Sequence, residues 1–201
     1  RPNMQMHADT LGVVDEWIRD SIRSGRSVAD AGLAVRNPFS PLSVRLQAIL
    51  GNATYGQVFE QIERIVVGEM ELRANAATLM RQQDVLGRLE SNRSDLANLV
   101  ASHDTGAVVL QLENEPLPGE SGPPRRALVE VQARRSPSGE ITYVVIGDAP
   151  AGIETLDDVR EALARDHADA EQRLRRLEGG IEAIAARLDA VAALAENEML
   201  R

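Results

Sequence analysis

Along the last quarter of the chain, apolar residues return at intervals of three and four. Leu156, Val159, Leu163, His167, Ala170, Leu174, Leu177, Ile181, Ile184, Leu188, Val191 and Ala195 fall on one line of a helix, His167 being its one polar member. From Ala170 onward the steps alternate four, three, four, three, which is the spacing of a coiled-coil or bundle seam. Thr155 supplies an N-cap oxygen, and Asp157 and Asp158 sit in the first turn, where the helix dipole favours acids. Gly179-Gly180 interrupts this helix. Two interior glycines cost about 2 kcal/mol against alanines, so the pair marks either a close helix crossing or a hinge.

A second long pattern begins near Thr54, where Thr54 and Gln57 have the spacing of a capping box. Val58, Ile62, Ile65, Leu72, Ala76, Leu79, Leu86 and Leu89 step mostly by three and four, and Leu96 and Val100 carry the line to about Ser102. Gly68 and Gly87 weaken this helix, each by about 1 kcal/mol. A bend or break is expected near Leu89–Asn92. Unbroken, about 48 residues at 1.5 Å rise would span roughly 70 Å, a length that needs a partner helix alongside it.

Before these come shorter helices. Leu11, Val14, Ile18 and Ile22 fall at helical spacing with Trp17 beside them, and His7 lies in an irregular-looking start. Ser27 predicts the cap of a second helix ending near Arg36. Ser40-Pro41 predicts the start of a third, and Gly51-Asn52 its end.

Between the long helices the period changes from 3.6 to 2. Val108, Leu110 and Leu112 alternate with Val109, Gln111 and Glu113; Leu128–Ala133 and Ile141–Ile146 follow as two more strands. Ser136-Pro137-Ser138-Gly139 makes a hairpin of the last two, and Glu113–Pro124, rich in proline and glycine, reads as an exposed loop. The expected fold is therefore mainly α: short N-terminal helices over 1–53, a long helix over 54–103, a small three-stranded antiparallel β-tip with loops over 104–152, and a long C-terminal helix over 153–201. The similar lengths of the long segments fit an antiparallel hairpin with the sheet at its turn. In element order alone this resembles flagellin-type filament subunits and prefoldin-type chaperones. That resemblance implies assembly or protein gripping.

Composition narrows the chemistry. The chain has 201 residues, no Cys, and a formal net charge of −9. Without Cys there are no disulfides, thiolate metal sites or thiol nucleophiles. The acidic balance disfavours nucleic acid and anionic lipid as partners. All 22 cationic residues are Arg, which a GC-rich genome explains most simply. The aromatic residues are Trp17, Phe39, Tyr55, Phe59 and Tyr143, too few and scattered for a base-stacking platform. No apolar run approaches the roughly 18–20 residues of a membrane span. The chain starts at Arg1 rather than Met, which leaves its localisation open.

Candidate sites are sparse. His167 lies between Asp166 and Asp169, and reads as a polar seam residue more readily than as a metal ligand. Ser102-His103-Asp104 has the residue types of a catalytic triad, but consecutive side chains diverge; the expected role is a helix C-terminus. The acid pairs Asp15-Glu16 and Asp157-Asp158 fall on solvent faces, without the sheltered cleft of general acid–base work. Asn52-Ala53-Thr54 and Asn92-Arg93-Ser94 are chance matches to a glycosylation pattern. Arg125, Arg126, Arg134 and Arg135 flank one strand; they would either contact an acidic partner or guard an edge against aggregation. No phosphate loop or cofactor motif is present. The expected function is a non-enzymatic structural subunit, part of a phage particle or bacterial appendage. It would oligomerise with itself and bind other proteins through the helix seams: Leu163, Leu174, Leu177, Ile181, Ile184, Leu188 and Val191 on one helix, Ile62, Ile65, Leu72, Leu79 and Leu86 on the other. The alternative is an adaptor or chaperone-like module that binds proteins with the β-tip or helical cleft.

Overall fold

The computed structural model describes residues 2–114 and 125–200, with side chains from 4 to 113 and from 126 to 200. Among these residues the chain is mainly α. Five helices, α1 (Pro2–Arg23), α2 (Val28–Arg36), α3 (Pro41–Leu50), α4 (Asn52–Ser102) and α5 (Leu156–Met199), enclose a sheet of β1 (Gly106–Asn114), β2 (Arg125–Arg135) and β3 (Ile141–Gly147) in sequence. The chain forms two compact units: residues 1–76 with 179–201, and residues 77–178.

The first unit is helical. Ser27 caps α2 by accepting a hydrogen bond from the Asp30 amide. Ser40 caps α3 through the Ser43 amide, with Pro41 at the first position. Gly51 closes α3 with φ +79°, a conformation glycine adopts without steric cost. The core collects Val13, Val14 and Ile18 of α1, Val35 of α2, Leu42 and Leu46 of α3, Val58, Ile62, Val66 and Met70 of α4, and Ala195 and Met199 of α5. Two glycines let helices approach here. A Cβ on Gly32 would fall 2.6 Å from Val67 Cγ2, and one on Gly68 would fall 2.7 Å from Leu188 Cδ2. Gly68 is thus a packing residue, and the helix penalty expected from sequence is the cost of that approach.

Three expectations for this region are corrected. Helix α1 already includes His7, so the start is regular. Leu11 and Ile22 are 43% and 45% exposed; the buried line of α1 is Thr10, Val13, Val14, Ile18 and Ser21. Thr10 can be buried because its hydroxyl donates to the Met6 carbonyl 2.8 Å away in its own helix, and Ser21 because Arg26 donates to its oxygen. Finally, α4 begins at Asn52, which leaves Thr54 inside the first turn and not at the cap.

A polar staple joins α2, α3 and α4. The last-turn carbonyls of Ala34 and Val35 have no partner within α2 itself. Ser43 Oγ lies 2.9 Å from each, and Tyr55 Oη donates to the Val35 carbonyl while lying 2.7 Å from Ser43 Oγ. Burial pushes the Tyr55 phenol above its ordinary value, against the Ser43 hydrogen bond that favours phenolate. The folded state therefore holds this proton more tightly than the unfolded chain. Its contribution is complete below about pH 10 and is lost as pH rises beyond that value. Tyr55→Phe should lower stability by about 1 kcal/mol at neutral pH. It should also flatten the alkaline fall relative to the native chain, as read by urea titration at several pH values between 8 and 12.

The second unit carries the sheet. Its order is β1-β2-β3, antiparallel throughout, with Leu110 opposite Val129 and Val131 opposite Val145. Ser136 donates to the Glu140 carbonyl and Gly139, at φ +90°, completes the turn between β2 and β3. One face packs Leu110, Leu112, Val129, Val131 and Ala133 onto Val85, Leu89, Leu96 and Leu99 of α4 and Val159, Ala162, Leu163 and Ala170 of α5. At the start of α5, Thr155 Oγ1 accepts from the Asp158 amide, and the Asp158 carboxylate accepts from the amides of Glu154 and Thr155. Those bonds, the Glu154 amide first, hold the Asp158 carboxyl below the usual range. Helix α4 runs unbroken through Leu89–Asn92. Glu113, read from sequence both as the end of the strand alternation and as the start of a loop, and Asn114, read as loop, belong to β1; the rest of that loop, 115–124, lies outside the described residues.

Candidate functional site

Strand alternation decides what the second unit presents to solvent. With Leu110, Val129 and Val131 turned inward, the opposite face carries Val109 and Gln111 of β1, Leu128, Glu130 and Gln132 of β2, and Thr142, Val144 and Ile146 of β3. Val109 is 62% exposed and Leu128 61%. They are diagonal neighbours, since Val109 pairs with Glu130 and Leu128 stands two residues along the same strand. Ile146, half-buried, pairs with Glu130 from the other side, so each strand contributes an apolar residue, with Leu128 diagonal to both Val109 and Ile146.

One corner of this face is fixed by a charge cluster. Glu113 is almost wholly buried, with Arg88 Nε 2.6 Å from one carboxylate oxygen and Gln111 Nε2 2.7 Å from the other. Arg126 Nε stands 3.6 Å from the carboxylate across the β1–β2 pair. Asn92 Nδ2 donates to the Gln111 carbonyl at 2.7 Å, so α4 also occupies part of the β1 edge. The cluster ties α4 to the end of the hairpin. Sequence reasoning placed Glu113 both in the β1 alternation and at the start of the loop, and had no register with which to pair it. Once β1 is paired in register, Glu113 faces Arg126, and the opposite charges become legible.

The two sheet edges differ. The Ser136–Glu140 bond sets the phase of the β2–β3 ladder, so Thr142, Val144 and Ile146 bond to β2, while Ile141, Tyr143 and Val145 turn their amides and carbonyls to the free edge. Among the described residues no backbone group pairs with that edge. Strand β3 has no charged residue and no proline along its seven residues, the devices that usually protect an edge.

Among the arginines that flank β2, Arg126, Arg134 and Arg135 do not form one patch. Arg126 and Arg134 lie eight positions apart on β2, roughly 27 Å along an extended strand. Arg126 faces Glu113, Arg134 binds Gln132 Oε1 at 2.7 Å, and Arg135 lies 3.2 Å from Asp104; the side chain of Arg125 lies outside the described residues. Of the seam residues, Ile62, Leu163, Leu174, Leu177, Ile184 and Leu188 are buried in the isolated chain. Ile65, Leu72, Leu79, Leu86, Ile181 and Val191 are half-buried. The buried line of α4 is Tyr55, Val58, Ile62, Val66 and Met70, then Thr78, Gln82, Val85, Leu89, Asn92, Leu96 and Leu99. The buried polar residues Thr78 and Gln82 interrupt its apolar record, which displaced the sequence reading by one position at Leu79 and Leu86; at Ile65 the adjacent Val66 is the buried one.

The histidines and the triad residue types occupy structural positions. His103 ends α4 at φ +50°, where a left-handed residue commonly closes a helix. Ser102 Oγ donates to the Leu99 carbonyl and Asp104 pairs with Arg135. His167 stands between Glu90 at 3.3 Å and Glu171 at 3.5 Å. Asn92, in the second glycosylation match, is buried against β1. No helix among the described residues is long and apolar enough to cross a membrane. Comparison with protein-family models, curated proteins and solved structures finds no match.

Proposed function

We propose that this chain is a non-enzymatic assembly component that joins other protein through the outer face and free edge of its sheet. The observation that carries this reading is the exposure of Val109 and Leu128 at 62% and 61% on a face continued by Val144 and Ile146. Exposed apolar residues that form one continuous face mark an interaction surface more than scattered ones do. Of the helix seams expected from sequence to carry assembly, Ile62 and Leu163 belong to the cores of their own units, and Leu174, Leu177, Ile184 and Leu188 are buried as well. That favours an adaptor that presents its sheet over a subunit that polymerises helix to helix. A phage particle or a bacterial appendage remains a setting in which such a component would serve.

A photo-crosslinking amino acid at position 128 and another at position 187, on α5, test the reading in the producing cell. Protein adducts from 128 and none from 187 are expected. Adducts from 187 alone would overturn the sheet as the contact surface.

A further inference from the structure

We propose that the partner strand for the free edge of β3 is the β3 of a second copy, joined antiparallel about a two-fold axis into a continuous six-stranded sheet. The inference rests on the reading of the sheet as contact surface and adds who occupies it.

Three observations carry it. The first is the phase of the ladder. Ile141, Tyr143, Val145 and Gly147 turn their backbone groups outward, and a two-fold axis through Val144 sets Tyr143 opposite Val145 of the second copy and Ile141 opposite Gly147. The Tyr143–Val145 pairs on either side of the axis each exchange both amide–carbonyl bonds, so the same outward groups complete one another with no shift of register. The second is charge. A strand that meets itself about a two-fold axis brings like residues together, and β3, Ile-Thr-Tyr-Val-Val-Ile-Gly, holds no charge to repel its copy. The third is contrast with the other edge. The β1 edge is engaged by Asn92 on its Gln111 carbonyl and is flanked by Glu113 with its arginines, so growth of the sheet is directed to β3.

The side chains agree with this pairing. On the outer face Val144 meets Val144 and Thr142 meets Ile146, which extends the apolar surface of Val109 and Leu128 across the axis. Just beyond each end, exposed Glu140 stands opposite exposed Asp148 of the other copy. That like-charge pair stops the ladder at seven residues and keeps the contact closed as a dimer.

The test uses the whole chain. Light scattering over a hundredfold range of concentration should show the mass rising toward twice that of one chain. Val144→Glu, on a surface position of the outer face, should hold the mass at one chain with an unchanged melting temperature. Because the native chain has no Cys, Val144→Cys gives a second readout. Oxidation should yield a covalent dimer, since the axis brings the two Cβ atoms together at a pair where strands approach most closely. Val109→Cys, more exposed than position 144 but away from the edge, should cross-link far more slowly. A native chain that stays monomeric throughout, or Val144→Cys linking no faster than Val109→Cys, overturns the inference. A dimer that Val144→Glu leaves intact but Leu128→Glu dissolves also overturns it, while the sheet face stands as the contact surface. If neither variant moves the mass of a dimer, both the edge and the face are wrong.

Discussion

Replacing Leu163 by Ala should cost about 2–5 kcal/mol, and the loss should be the same at every protein concentration. Leu163 is 1% exposed, in a cluster that joins Leu89 of α4 to Leu110 and Val129 of the sheet. Truncation removes three heavy atoms from this site and leaves a cavity that α4, α5 and three strands cannot close without moving together. The concentration arm matters more than the magnitude. A seam buried between chains gives an unfolding midpoint that rises with concentration, because association stabilises by mass action. A seam buried within one chain gives a fixed midpoint. Urea unfolding at 1 µM and 100 µM, for the native chain and for Leu163→Ala, separates the two. If β3 joins copies at the higher concentration, both proteins shift upward by the same amount and the difference between them stays constant. A Leu163→Ala penalty that grows with dilution would return the seam to an interface between chains.

That test reaches the point at which the sequence stopped being informative. Where structure is decided locally, the residues predicted it. Ser27, Ser40-Pro41 and Gly51 each set a helix end through bonds to backbone groups within a few positions, and all three act as expected. The first two strands follow from alternation with period two and the third from its β-branched residues, and the helical line was read to about Ser102, where α4 ends. What was not legible depends on side-chain partners that the apolar pattern does not encode, near or far in sequence. Thr10 and Ser21 look like surface residues, yet each hydroxyl is satisfied close by in the chain and each side chain is buried. Glu113 becomes a core residue only when Arg88 reaches it from α4. A heptad line states that a helix has a partner, but the same line serves a partner in the same chain or another one, since packing of apolar faces carries no label of origin. The outer sheet face had the opposite difficulty. Val109, Leu128 and Ile146 were each read as strand residues, and only the register places them on one exposed surface.

Gly179→Ala with Gly180→Ala should stabilise the chain by about 2 kcal/mol. From sequence the pair had two explanations, a close helix crossing or a hinge. The first fails: both residues are exposed, and a Cβ built on either meets nothing within 4 Å, unlike Gly32 and Gly68, which touch Val67 and Leu188. Neither has a left-handed backbone, and α5 passes through both as regular helix. Alanine therefore adds no clash and no strain, while it reduces the freedom the unfolded chain gains at these two positions. The pair falls where the chain leaves the second unit and re-enters the first, at the Glu178–Gly179 boundary. Thermal and urea unfolding of the double variant measure the gain. A gain near the full value would mean that the folded chain makes no use of the glycines, and that whatever retains them acts outside this fold, in a partner that approaches this turn of α5 or in a bend of the helix during assembly. The crosslinking and light-scattering experiments repeated on the stabilised variant then discriminate. Unchanged association would leave the glycines without a role in it, whereas weaker association in a more stable chain would show stability traded for a contact, the pattern expected when a destabilising residue is kept for function.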